Sequence, residues 1–235
     1  MISLRADVYV SSRLPIAVKR AGTTSSFSAI SCTLIQGEKE VVLDLVQWIK
    51  ETAPGKELAF IYITHGHGGH WFGLPVLKKY WPNVHVLATP GTVAHMKQQT
   101  EPAVFEDTWL RFFPGGQIAQ PFILAEEMSS PTFMIEGHEF NTVEVGHTDT
   151  YDTTVLRVPD IHLVVAGDIV YGGVHQFFGE ATTPAKRQEW LHALDKIESL
   201  NPHMVIAGHK RAGTVDGVFN VKTTREYILA FDDPS

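Results

Sequence analysis

The chain has little cysteine, no excess of basic residues and no long hydrophobic run. Its one cysteine in 235 residues, Cys32, excludes a disulfide framework and a cysteine-based zinc site, and favours a reducing, cytoplasmic location. Lysine and arginine total 19 against 26 acidic residues, which argues against nucleic-acid binding by phosphate neutralisation. No apolar run approaches the ~20 residues of a membrane span, and the N-terminus lacks a signal-peptide pattern, so we expect no membrane association.

The rest of the composition predicts one globular domain spanning residues 1–235. The apolar fraction of 44% is sufficient for a sizeable core, and no repeat, low-complexity tract or linker divides the chain. Apolar patterns of strand and helix type alternate, which predicts an α/β fold with mixed sheets. The predicted strands are residues 28–35, 40–43, 58–63, 84–88, 133–135, 140–145, 152–158, 161–166 and 204–207. The predicted helices are residues 45–50, 74–81, 92–99, 184–199 and 223–230, and residues 101–127 are predicted to be irregular.

Three of the twelve histidines, His65, His67 and His70, lie within six residues directly after a predicted buried strand. Histidine is the commonest metal ligand in proteins. Three later segments repeat this design, with an apolar strand, a glycine and then a ligand-type residue: His147, Asp168 and His209. A single histidine after a strand is usually structural, but the full ordered set predicts a metal site at the ends of the strands.

The order and spacing of these residues resemble the metallo-β-lactamase superfamily over nearly the whole chain. The segments 146–152 and 166–171 look closest to its small, lactonase-like metal-dependent hydrolases and not to the β-lactam-cleaving enzymes. The resemblance implies an αββα sandwich of two mixed sheets flanked by helices. It also implies a site for one or two zinc ions, with iron or manganese as alternatives.

Under this resemblance, the first metal's ligands match His65, His67 and His147. His70 and His209 match the second metal's ligands, and Asp168 matches the carboxylate that bridges both metals. Three imidazoles leave one zinc position for water, whose pKa falls to about 7. The resemblance therefore implies a hydrolase in which metal-bound hydroxide attacks an ester, lactone or thioester carbonyl.

The sequence departs from the family pattern at two places. Gly69 occupies the position of the motif aspartate, which usually binds the second metal and can pass a proton to the leaving group. Two dications about 3.5 Å apart repel by roughly 5 kcal/mol even at the dielectric constant of water, so losing this carboxylate predicts a weakened second site. At the other place, Asp44 leads almost directly from strand to helix, and it is either the family aspartate that supports the metal loop or a helix N-cap.

Three interpretations of Gly69 stay open. The chain is an active hydrolase with an unusual or mononuclear site, or a degenerate member that binds ligand or catalyses a non-hydrolytic elimination or isomerisation. In the third interpretation, Gly69 is an introduced change that inactivates the site.

Other residues have a functional and a structural interpretation. With Asp168, the predicted catalytic residues are Tyr171, as an oxyanion donor, and His175; both otherwise pack around a glycine-rich loop. Asp149 either orients a histidine or caps a turn.

The substrate is predicted to be a small molecule with an apolar or aromatic part. Trp71, Phe72, Phe177 and Phe178 form a candidate apolar wall at the site, with core packing as the alternative. Lys210 and Arg211 either meet an anionic group or are solvated. An oligomer formed through residues 101–127 stays open.

Overall fold

The computed structural model describes residues 4–11, 14–15, 26–27, 31–36 and 44–233. The strands of the first half are β1 (Arg5–Val10), β2 (Leu14–Pro15), β3 (Ser26–Phe27), β4 (Ser31–Gln36), β5 (Phe60–Tyr62), β6 (His85–Ala88) and β7 (Glu126–Glu127). Those of the second half are β8 (Thr132–Ile135), β9 (His138–Gly146), β10 (Thr153–Val158), β11 (Leu163–Gly172) and β12 (Met204–Lys210). The helices are α1 (Asp44–Thr52), α2 (Leu74–Tyr80), α3 (Pro90–Gln99), α4 (Pro102–Val104), α5 (Pro184–Ser199) and α6 (Phe219–Asp232).

Two sheets dominate the described fold. The larger has the order β12-β11-β10-β9-β8, in which β11 and β12 are parallel and the other pairs are antiparallel. The smaller is the parallel sheet β5-β6-β7, and two-stranded pairs β1-β4 and β2-β3 accompany them. One mixed and one parallel sheet, together with helices, confirm the predicted α/β class, although in the described residues the smaller sheet is not mixed.

Helices α5 and α6 cover the larger sheet. Helix α5 begins where the Thr183 hydroxyl accepts a hydrogen bond from the Lys186 backbone N–H at 3.3 Å, with Pro184 at the first helical position. Trp190 is fully buried, and its indole N–H donates to the Ile169 carbonyl of β11 at 2.9 Å. The predicted helix 184–199 is therefore confirmed, and its indole fixes the helix against the strand that carries Asp168.

A second core packs around the smaller sheet. Trp71, Phe72, Phe105, Trp109 and Phe122 pack against one another under α3. The prediction of an irregular segment over residues 101–127 is wrong in its first part, because α4 continues directly into a π-helical turn, Phe105–Leu110. The aromatic rings of that turn are buried, so packing stabilises a helix there. The glycine and proline content of the segment had favoured an irregular structure instead.

Two further predictions differ from the structure or lie outside it. The predicted returning strand 40–43 lies outside the described residues, and among the residues described β4 pairs with β1. The predicted strand 161–166 begins in fact at Leu163, after a 3-10 turn at Pro159–Ile161, and extends through Asp168 to Gly172, where β12 still pairs with it. Within the described ranges, no helix is long and apolar enough to cross a membrane.

Candidate metal centre

The loop that follows β5 carries His65, His67 and His70 and is held by close contacts. Its first carbonyl, Thr64 O, accepts from the Thr154 backbone N–H at 3.0 Å and from the Thr154 hydroxyl at 2.7 Å. The Trp71 indole N–H donates to the Gly66 carbonyl at 2.8 Å. A Cβ at Gly66 would lie 2.3 Å from the ring of His95, so the loop passes too close to α3 for any side chain there.

Three histidines surround the carboxylate of Asp168. Its Oδ2 atom lies 2.9 Å from His209 Nε2, 3.2 Å from His70 Nε2 and 3.8 Å from His65 Nε2. All four side chains are buried or nearly so. The structure therefore brings together four of the six predicted ligands, from the loop after β5 and from strands β11 and β12.

Glycines on β11 and β12 make this approach possible. Gly167 has φ +55°, and the pairing of β11 with β12 shifts register on both sides of it. A Cβ at Gly208 would lie 2.3 Å from Asp168 Oδ1. The small residues before each ligand thus give the carboxylate room between two paired strands.

The charges of this group follow from burial and proximity. Burial lowers the pKa of His65 well below its ordinary value, and His70 adds to that effect, so the His65 imidazole is neutral. Burial acts to raise the pKa of Asp168, but His209 and His70 hold that pKa well below its usual range. A neutral imidazole beside an ionised carboxylate is the protonation state that metal binding requires.

His67 lies between two carboxylates. Its Nε2 contacts Glu180 Oε1 at 2.9 Å in a hydrogen bond, and its Nδ1 lies 3.0 Å from Asp149 Oδ2. Burial acts to lower the pKa of His67, but these two carboxylates raise it to about 10. The same contact lowers the pKa of Glu180 to about 2, against the effect of its burial.

Several buried polar atoms here have no hydrogen-bond partner in the described structure. They are His65 Nε2, Asp168 Oδ1, Asp149 Oδ2 and both ring nitrogens of His147. Burying such atoms without a partner is costly, and a cation would satisfy them. The donor set of imidazole nitrogens and carboxylate oxygens suits zinc.

Among the described residues, three groups of side chains could each hold a metal ion, because the ligand atoms within each group all lie within 4.8 Å of one another. They are His65, His67 and Asp149; His65, His70 and Asp168; and His67, His95 and Glu180. His147 belongs to none of these groups, although its ring nitrogens are buried. Its predicted role as a ligand stays a prediction.

Tyr171 and His175 both line a cavity of about 700 Å³, together with Lys210, Arg211 and Tyr227, and none of the predicted ligands lines it. The Tyr171 ring stacks on His209 with 5.5 Å between centroids. Burial raises the pKa of Tyr171 well above its ordinary value, so its hydroxyl stays protonated. His175 contacts the Tyr227 hydroxyl at 2.8 Å through Nδ1.

The candidate apolar wall divides into two parts. Trp71 and Phe72 are buried in the core around α3, as the structural interpretation expects. Phe177 is 49% exposed, and its ring centre lies 5.6 Å from that of His67. Phe178 packs against Trp190. Only Phe177 among these four is thus both exposed and beside a candidate ligand.

The two basic residues Lys210 and Arg211 also differ in their surroundings. Lys210 is buried and forms an ion pair with Asp216, so it is not the solvated side chain of the simpler interpretation. Arg211 is exposed at the cavity.

Sequence analysis missed His95 and Glu180. His95 is 1% exposed on α3 and stacks on Tyr151 with 4.2 Å between ring centres. Glu180 follows β11 and is 113 residues from the histidine that it contacts. Neither residue stands in a motif, so only the fold brings them to the site.

Solved structures with this fold are similar over nearly their whole length. A metallo-beta-lactamase from Pontibacter korlensis has a TM-score of 0.64 at 14% identity, covering 97% of this chain and 99% of that one. VMB-1 has a TM-score of 0.63 at 19% identity, covering 99% of each chain. The metallo-beta-lactamase FIM-1 from Pseudomonas aeruginosa, solved in a mono-zinc form, has a TM-score of 0.62 at 12% identity, covering 98% of this chain and 93% of that one. These likenesses show the fold, which is the predicted αββα sandwich.

A comparison with curated proteins gives no match. The family described as the metallo-beta-lactamase superfamily matches residues 26–209, a range that includes every predicted metal ligand. The likeness inferred from the histidine motif is thereby confirmed, and the chain belongs to the metallo-beta-lactamase superfamily.

Proposed function

We propose that this protein is a zinc-dependent hydrolase of small esters, lactones or thioesters. The observation that carries the proposal is the buried carboxylate of Asp168, with three histidine nitrogens within 3.8 Å of Oδ2 and no partner for Oδ1. A bound zinc ion would supply Lewis acidity, which polarises a carbonyl and makes water nucleophilic at neutral pH. The single cysteine supports a reducing, cytoplasmic setting for this chemistry.

Two groups of ligands would hold the metal. His65, His67 and His147 would hold the tighter ion, and His70 and His209 would hold the weaker one, with Asp168 between them. Gly69 provides no side chain to the second ion, so we expect unequal occupancy. FIM-1 has been solved in a mono-zinc form. A mononuclear state is thus represented in this superfamily.

The cavity lined by Tyr171 and His175 would bind the substrate, and Tyr171 connects it to the ligands because its ring stacks on His209. Tyr171 lines it with a protonated hydroxyl, which can donate to a carbonyl oxygen as negative charge develops there. Val174 and Tyr227 give apolar and aromatic surface, and Phe177 adds an exposed ring near His67. Arg211 is placed to meet an anionic substituent. These features support a small substrate with an apolar or aromatic part.

The test combines metal analysis with hydrolysis assays. Protein purified without added metal is analysed for zinc, iron and manganese, and is then assayed on aryl esters, lactones and thioesters. We expect at least one ion per chain and hydrolysis that His67→Ala abolishes. His85→Ala is the matched control, because His85 is exposed and contacts only Glu126 and Phe60 among the interactions described. Equal activity of wild type and His67→Ala would refute the proposal.

Gly69 favours a second candidate function, a non-hydrolytic reaction that needs only Lewis acidity. The missing carboxylate removes a group that passes a proton to the leaving atom in hydrolytic relatives. Gly69→Asp separates the two candidates. If wild type binds metal without hydrolysing any of the three bond types and Gly69→Asp hydrolyses them, the native reaction is not hydrolysis.

A further inference from the structure

We propose that Asp149 is a direct ligand of the metal held by His65 and His67, and that its carboxylate supplies the negative charge that Gly69 does not. The inference rests on the proposed metal-dependent function, and adds a ligand from a position where the sequence pattern indicates only a supporting or turn-capping residue.

The first step is the orientation of the His67 ring. His67 Nε2 and Glu180 Oε1 form a hydrogen bond of 2.9 Å, which engages this nitrogen and leaves Nδ1 to face the other way. A metal ion at Nδ1 would take the place of any proton there, because a histidine binds metal as the neutral imidazole. A carboxylate that fixes a histidine in this way is the usual partner of a metal-binding imidazole. The Thr150 hydroxyl donates to the other oxygen of Glu180 at 2.7 Å and holds that carboxylate in place.

The second step is what Nδ1 faces. Asp149 Oδ2 lies 3.0 Å away, but this contact lacks hydrogen-bond geometry, and Oδ2 has no other partner. Asp149 is 0% exposed, and its Oδ1 accepts from the Thr148 hydroxyl at 2.9 Å. Either a proton or a metal ion beside the two atoms would satisfy both of them.

The third step distinguishes a metal from a proton. A proton shared with His67 would serve Asp149, but would leave His65 Nε2 buried without a partner. His65 belongs to the same group as His67 and Asp149, in which one ligand atom of each residue lies within 4.8 Å of the others. Zinc with bonds of about 2.0–2.2 Å has ligand atoms about 3.3 Å apart, which matches the spacing of His67 Nδ1 and Asp149 Oδ2. One metal ion would therefore satisfy His67 Nδ1, Asp149 Oδ2 and His65 Nε2 together, whereas a shared proton would satisfy only the first two.

The electrostatic consequence concerns the whole centre. With Asp149 as a ligand, two carboxylates face the ions, Asp149 at the first and Asp168 between both. That restores the number of acidic ligands that the family motif would supply with an aspartate at position 69. The first site then has the greater share of negative charge and the tighter ion.

The experiment measures zinc affinity by equilibrium dialysis against chelator-buffered zinc. Asp149→Asn keeps the shape of the side chain and the contact with Thr148 but removes the charge. Asp152→Asn is the matched control, since Asp152 is exposed three residues later and its φ of +52° suits asparagine. We expect the tighter dissociation constant to rise by about 100-fold or more in Asp149→Asn, because even residues behind the ligands cost 10–100-fold. In Asp152→Asn it should change by less than about 2-fold, since none of the three ligand groups includes that residue.

A crystal structure of the zinc-loaded wild type gives a second measurement that needs no variant. An Asp149 Oδ2–zinc distance of about 2.0–2.2 Å supports the proposal, and a distance beyond about 3 Å overturns it. Unchanged affinity in Asp149→Asn overturns it too, while leaving the proposed hydrolase intact. Wild type that binds no zinc refutes both, whereas zinc binding through Asp149 without hydrolysis refutes only the hydrolase.

Discussion

Gly66→Ala should destabilise the protein through one specific contact. The new Cβ would lie 2.3 Å from His95 Cγ and 2.5 Å from His95 Cβ and Nδ1. Carbon atoms in contact normally lie about 3.5–4.0 Å apart, so the loop and the His95 ring must separate by more than about 1 Å. Overpacking of this kind typically costs about 1–3 kcal/mol. For a chain of this length, the melting temperature should fall by roughly 2–12 °C.

The assay is urea unfolding of metal-free protein followed by circular dichroism, with Gly73→Ala as the matched control. A Cβ at Gly73 meets nothing within 4 Å, and its φ of −75° suits alanine. That variant should lie within about 0.5 kcal/mol of wild type or be slightly more stable.

The double variant Gly66→Ala/His95→Ala tests the assigned contact directly. Removing the ring should recover most of the cost of Gly66→Ala, with a coupling energy of about 1 kcal/mol or more. If Gly66→Ala is as stable as Gly73→Ala, or if the two changes are simply additive, the close approach of the loop to α3 is not what requires glycine at this position.

Three further predictions concern stability. Trp190→Ala should lower the free energy of unfolding by about 3–5 kcal/mol, because a fully buried indole and its bond to Ile169 are lost; a loss below 1 kcal/mol in urea titration would contradict its core position. Chelation should lower the melting temperature in calorimetry, since zinc at 100 times its dissociation constant adds about 2.7 kcal/mol, and an unchanged midpoint would exclude a tightly held ion. Burial raises the pKa of Tyr62. Above pH ~10 this tyrosine ionises in the unfolded chain but not in the folded one, so the free energy of unfolding falls as pH rises. Tyr62→Phe should reduce the slope of that free energy against pH by up to about 1.4 kcal/mol per pH unit. An identical slope in both proteins would show that Tyr62 ionises freely in the folded chain.

The sequence was sufficient to predict the family and the outline of the site, because its signals are local. The histidines at positions 65, 67 and 70 stand in one short loop, and helix α5 combines a Thr183 cap, Pro184 and helical spacing in one segment. Such signals need no knowledge of distant contacts.

What the sequence could not predict depends on partners far apart in the chain. Glu180 holds Nε2 of His67 by a hydrogen bond, yet it follows a different strand and belongs to no motif. The end of β11 was placed too early because Gly167 was taken as a terminus. In the structure β12 stays paired with β11 as far as Gly172, so the backbone continues through an irregularity at that glycine.

Thr64 links the loop of histidines to the opposite sheet. It follows β5 of the smaller sheet, but its carbonyl is bound by Thr154 of β10, and a Cβ at Gly167 of β11 would lie 2.6 Å from its hydroxyl. The position of the loop relative to the larger sheet is therefore determined by strands that are distant in sequence from every histidine in the loop. A loop transplanted from a relative would be misplaced unless these two strand positions came with it, and substitutions at position 154 offer a way to adjust ligand spacing without changing a ligand.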